Sequence, residues 1–125
     1  MIPFRELPNL TVHIDKVIYM PHLDAPEDRP FPFVYYLTIE NQSDETVTIK
    51  GRKWVVISMA GDTVVVEGDG VVGKCPRLEP GERFSYNSYH VIGSDSVAEG
   101  AFFGINEQGE PVMTRIPRFA MTVPE

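Results

Sequence analysis

Apolar and polar residues alternate along much of this 125-residue chain. Leu10, Val12 and Ile14 interleave with Thr11, His13 and Asp15, the period-two pattern of a half-buried strand. Phe33, Tyr35, Leu37 and Ile39 do the same against Val34, Tyr36, Thr38 and Glu40. β-Branched runs at Thr46 to Ile49, Lys53 to Met59 and Thr63 to Glu67 predict three more strands, separated by turn residues at Gly51 and Gly61-Asp62. Phe84 and Tyr86 open another, which leads through Tyr89 towards Ile92. Ala101, Phe103 and Ile105 mark the next, Asn106 to Gly109 predicts a turn, and Pro111 to Val123 predicts the last strand. There the apolar phase changes: Val112 and Ile116 share one parity, Phe119, Met121 and Val123 the other. A bulge near Pro117 accounts for the flip, because proline has no amide for the ladder and an extra residue re-aims the face.

No segment reads as a helix. Eleven prolines and ten glycines interrupt the chain at less than helical length, and the best candidate, Ser94 to Glu99, is barely one turn. About eight short strands with frequent turns predict an all-β antiparallel sandwich or barrel. The proline-rich segment PHLDAPEDRPFP, Pro21 to Pro32, is expected to be the longest loop. With no repeat and no linker, residues 1–125 read as one domain, residues 1–9 as an N-terminal extension and 10–124 as the sandwich.

Charge narrows the partners. A net charge of −7 opposes a polyphosphate, and the basic groups Lys50, Arg52, Lys53 and Lys74, Arg77 are short, so no nucleic-acid partner is expected. No apolar run reaches membrane-spanning or signal-peptide length, and Cys75 is the only cysteine. The expectation is a cytoplasmic protein with no membrane partner, disulfide or cofactor.

Chemistry is first suggested by GDGVVGKC, Gly68 to Cys75. Gly68, Gly70 and Gly73 match G-x-G-x-x-G, and Gly68 through Lys74 match G-x-x-x-x-G-K. Both motifs need a following helix, whose N-terminal amides hold the phosphates. Pro76 and Pro80 break any such helix, and Cys75 replaces the hydroxyl that would reach magnesium. Glycines serving a strand connection are the simpler reading. A second reading keeps a helix-free nest of amides at Gly70 to Lys74 that binds pyrophosphate or a nucleotide, with metal-dependent hydrolysis as an extension.

Other residues carry less. His22, Asp24 and Asp28, with Glu27, are candidate metal ligands in a loop that is more simply a solvated acidic one. His13 is expected outside. His90, in phase with Phe84 and Tyr86, is expected to be partly buried and hydrogen-bonded. Trp54 is expected in the core, with Arg52 on the same face at the sandwich edge. Cys75 reads as a passive thiol. No nucleophile, base and orienting group converge, so catalysis is not expected.

Arg52-x-Trp54, Gly61, GDGVVG, Pro76, Leu78, Pro80-Gly81-Glu82, Phe84, Tyr86 and Ser88 together resemble the ApaG family. Glu99-Gly100, the Asn106 to Gly109 turn, Pro111, Ile116-Pro117, Phe119 and Val123-Pro124 continue the resemblance in one register. It implies an immunoglobulin- or fibronectin-type-III-like sandwich and no settled catalytic residue. Bacterial members are associated with cobalt tolerance and magnesium efflux and often neighbour a diadenosine-tetraphosphate hydrolase. In eukaryotes a similar domain joins an F-box protein and a polymerase-delta-interacting protein. The chain departs from the family pattern at NSYHVIGSDSVAEG, Asn87 to Gly100. The expected function is a non-catalytic protein-binding module, linked to divalent-cation homeostasis, docking a partner or a second copy through a sheet edge.

Overall fold

A computed structural model describes residues 3–125, which form nine strands and no helix. They are β1 (Arg5–Glu6), β2 (Leu10–Tyr19), β3 (Phe31–Asn41), β4 (Val47–Ser58), β5 (Thr63–Asp69), β6 (Arg77–Leu78), β7 (Arg83–Ile92), β8 (Ser96–Asn106) and β9 (Pro111–Met121). One sheet runs β1-β9-β8-β4-β5, with β6 also on β4; the other runs β2-β3-β7. All pairings are antiparallel except β1 with β9. The all-β sandwich expected from the pattern is what forms, with β1 and β6 as two short additions.

Three bulges keep the long strands facing the core. On β9, Pro117 and Arg118 together oppose Glu99, since Ala98 pairs Phe119 and Gly100 pairs Ile116. Val112 and Ile116 before it and Met121 after it are all buried. The predicted flip at Pro117 is real, and Arg118 Nη2 closes it with a 2.7 Å ion pair to Glu99. The same device acts at Asp15 in β2, where the register shifts between Ile14 and Lys16.

The third bulge corrects a boundary. Gly51 does not separate two strands; it lies inside β4, where the ladder to β8 shifts between Ile49 and Gly51. Val47 and Ile49 point inward before the shift, Trp54 and Val56 after it. An odd-to-even change across a glycine reads as two runs in sequence, because the pattern of a bulge and of a turn is similar.

Two further expectations change. β8 starts at Ser96, within the segment that is the best but rejected helix candidate, and its inward residues are Ala98 and Phe102 rather than Phe103 and Ile105. Phe103 faces outward, where Phe4 covers it edge-on at a centroid distance of 4.9 Å. Residues 1–9 are not all an extension: β1 pairs Arg5 with Val112 and Glu6 with Met113, and Leu7 is 3% exposed in the core.

On one side the sheets are tied by a buried bond in which Thr114 Oγ1 donates to Leu10 O at 2.6 Å. On the opposite side the edge strands β5 and β7 leave a cleft between them.

Candidate functional site

The floor of that cleft is the aromatic end of the core. Trp54 on β4 is 1% exposed and packs 4.8 Å from Tyr35 on β3 and 4.7 Å, edge-on, from His90 on β7. Tyr35 and His90 stack at 4.8 Å. The strand registers bring these three together, with Tyr35 opposite Ser88 and Trp54 opposite Val66. Val64 and Val66 of β5 form one wall and Ser88 to Val91 of β7 the other, with Arg52 and Arg29 completing a space of about 210 Å³.

The polarity is unusual for a core. Among the described residues, Trp54 Nε1, Tyr86 Oη and His90 Nε2 are buried without a hydrogen-bond partner. Burial raises the Tyr35 hydroxyl above its ordinary range and Tyr86 further still, the Arg52 guanidinium opposing the rise at both. Burial also lowers the His90 pKa from 6.5 to about 4, so its ring is neutral at physiological pH. His90 is therefore half-buried, as expected, but its Nε2 is not hydrogen-bonded. Among the described residues, no carboxylate lines the space.

Arg52 joins the cleft to the glycine loop. Its Nη1 donates to Asp69 O at 2.9 Å and to Gly70 O at 3.1 Å. A Cβ on Gly68 would lie 2.7 Å from that nitrogen, so glycine there makes room for the guanidinium. Val71 N donates to Lys74 O and Lys74 N to Val71 O, closing a two-residue turn with positive φ at Val72 (44°) and Gly73 (80°). Gly70 has φ 64° and donates its amide to Lys50 O. The loop thus turns carbonyls towards a cation, and the amides of Gly70, Val71 and Lys74 are taken by backbone. Lys74 and Cys75 are exposed. Arg52 thus lies against Gly68 and Gly70, whereas Gly73 and Lys74 lie in the turn beyond.

The other candidates stay apart. His22, Asp24 and Asp28 are exposed, and no group of three or more His, Cys, Asp or Glu side chains gathers among the described residues. Asp24 contributes its carbonyl to Tyr89 Oη at 3.1 Å. His13 is outside, 3.2 Å from Glu40. The pattern gave no cue for Tyr35, Ser88 and Arg29 at the site, because only strand pairing aligns them with Trp54.

The second feature of this side is the β5 edge itself. Ser58 N bonds Asp62 O and Gly70 N bonds Lys50 O, which sets the phase of the β4–β5 ladder. Val64, Val66 and Gly68 therefore aim their amides at β4, leaving those of Thr63, Val65, Glu67 and Asp69 outward. Val64, Val65 and Val66 are 36%, 52% and 40% exposed.

Known proteins place the chain. The ApaG domain family matches residues 21–104. ApaG proteins of Vibrio cholerae (36% identical over 107 residues, 85% of each chain) and Acidithiobacillus ferrooxidans (34% over 104 residues, 82% of each) align along most of its length. The chain belongs to the ApaG family. A crystal structure of a Bordetella pertussis protein called ApaA matches the fold with a TM-score of 0.82 at 28% identity, covering 98% of both chains. For an ApaG domain, then, the arginine of Arg52-x-Trp54 has a physical role in this chain: it packs on Gly68 and ties the glycine loop to the aromatic cleft.

Proposed function

We propose that the chain is a non-catalytic interaction module of the fibronectin-type-III-like kind, acting in the cytoplasm, whose β5 edge receives an extended segment of a protein partner. The observation that carries this reading is the bare edge: seven residues, TVVVEGD, with outward amides, three exposed valines and neither proline nor lysine. Edges that must stay unpaired usually carry such blocking residues, and a partner strand gains main-chain hydrogen bonds there, with specificity from alternate side chains. In this reading any part in divalent-cation homeostasis is exercised through the partner.

A photo-cross-linking side chain at position 65, introduced in the native cell, should trap one protein recoverable by mass spectrometry. Val65→Pro removes one outward amide without touching the β4 ladder, and should abolish capture while leaving the circular dichroism spectrum unchanged. Undiminished capture by Val65→Pro would reject strand addition; capture of a second copy of the chain would make the partner itself.

A further inference from the structure

We propose that the cleft between β5 and β7 binds a small organic monocarboxylate of about one ring's size, its carboxylate on Arg52 and its apolar body over Trp54, between the Val66 and Val91 walls. This goes beyond the docking role and uses the other face of β5.

Four observations converge. The first is space: apolar cavities of about 150 Å³ hold a benzene molecule, and this one offers about 210 Å³ with an open mouth. The second is unfilled hydrogen-bonding capacity. The ring of Trp54 lines the cleft, and just beneath that surface its indole N–H, beside the Tyr35 hydroxyl, and His90 Nε2 have no partner in hydrogen-bonding geometry. Buried polar atoms of this kind are rare in native folds and commonly await water or a ligand. The third is charge: Arg29 and Arg52 line a cleft without any carboxylate, in a chain whose net charge is −7. Among the described residues Arg52 forms no ion pair, and the bonds it makes use Nη1 alone, to loop carbonyls that hold the guanidinium in place. A pre-positioned guanidinium is suited to a planar carboxylate. The fourth is selectivity against cations, since the neutral ring of His90 and the neutral hydroxyl of Tyr35, both lining the cleft, supply no anion to hold one.

Trp54 is the chain's only tryptophan, so one indole N–H resonance reports on the cleft. Benzoate titrated into nitrogen-15-labelled protein should shift that resonance saturably. Benzyl alcohol, of similar size but neutral, should bind about tenfold more weakly or worse, because it lacks the charge-assisted bond. Arg52→Gln should weaken benzoate by about the same factor. Val66→Phe, on an exposed strand and with Arg52 intact, should abolish the shift by filling the cleft. No saturable shift at tens of millimolar benzoate, equal binding of benzyl alcohol, or unchanged binding in Val66→Phe would each overturn the proposal.

Discussion

His90 is a titratable ring held between Tyr35 and Trp54 with no partner for Nε2. Its pKa is about 4 in the fold against 6.5 for the free side chain, so between those values the unfolded chain binds a proton that the native chain refuses. The contribution of His90 to stability is then full above pH 6.5, falls as pH drops through the window and levels off below pH 4. The loss should be of order 3 kcal/mol. His90→Phe should remove that slope, seen by urea unfolding at about pH 7 and about pH 4.5; parallel wild-type and variant curves would refute it. The glycines test separately. At Gly70, a Cβ meets the Lys74 carbonyl and φ is 64°, whereas at Gly73 φ is 80° but nothing lies near. Gly73→Ala should cost about 1 kcal/mol and Gly70→Ala clearly more. Thermal unfolding ranks the two.

At the scale of elements, the glycine loop and β5 divide the work that two motifs suggested for one site. The segment from Gly68 to Lys74 is a strand end and a tight turn, and its geometry is explained by Arg52 and by the β4 ladder. Millimolar pyrophosphate should leave the melting temperature unchanged, whereas a ligand at a hundred times its dissociation constant would add about 2.7 kcal/mol. A saturable rise lost in Lys74→Ala would restore the anion-nest reading. β5 is bonded on one side only, and its inward residues Val64 and Val66 face the cleft while Val65 faces solvent. One strand thus presents two surfaces of different chemistry.

Across the whole molecule, the first and last strands close the large sheet. β1 lies parallel to β9 at the outer edge of that sheet, and Leu7 directly after it enters the core. Leu7→Ala should cost about 2–5 kcal/mol in chemical denaturation, as for other buried leucines. A surface extension would give a change within about 0.5 kcal/mol. The three bulges serve the same closure, each turning a strand so that both its halves face inward.

Period-two alternation was enough to determine the all-β class, the inward faces of β2 and β3 and the Pro117 bulge. These depend on the local rule that successive side chains in a strand point to opposite faces, which each segment carries by itself. The sequence likewise excluded the helix that both phosphate motifs require, because Pro76 and Pro80 act locally. Tertiary structure alone decided the inward phase of β8, since Phe103 is apolar and becomes an outer residue only where Phe4 covers it. It alone merged two runs into β4 across Gly51, brought Leu7 into the core, and set Arg52 on Gly68. The same holds for the cleft: Tyr35, Trp54 and His90 are distant in sequence and meet only through strand pairing across two sheets. Pairing partners are long-range choices, made by the burial of the whole chain, and no single segment encodes them.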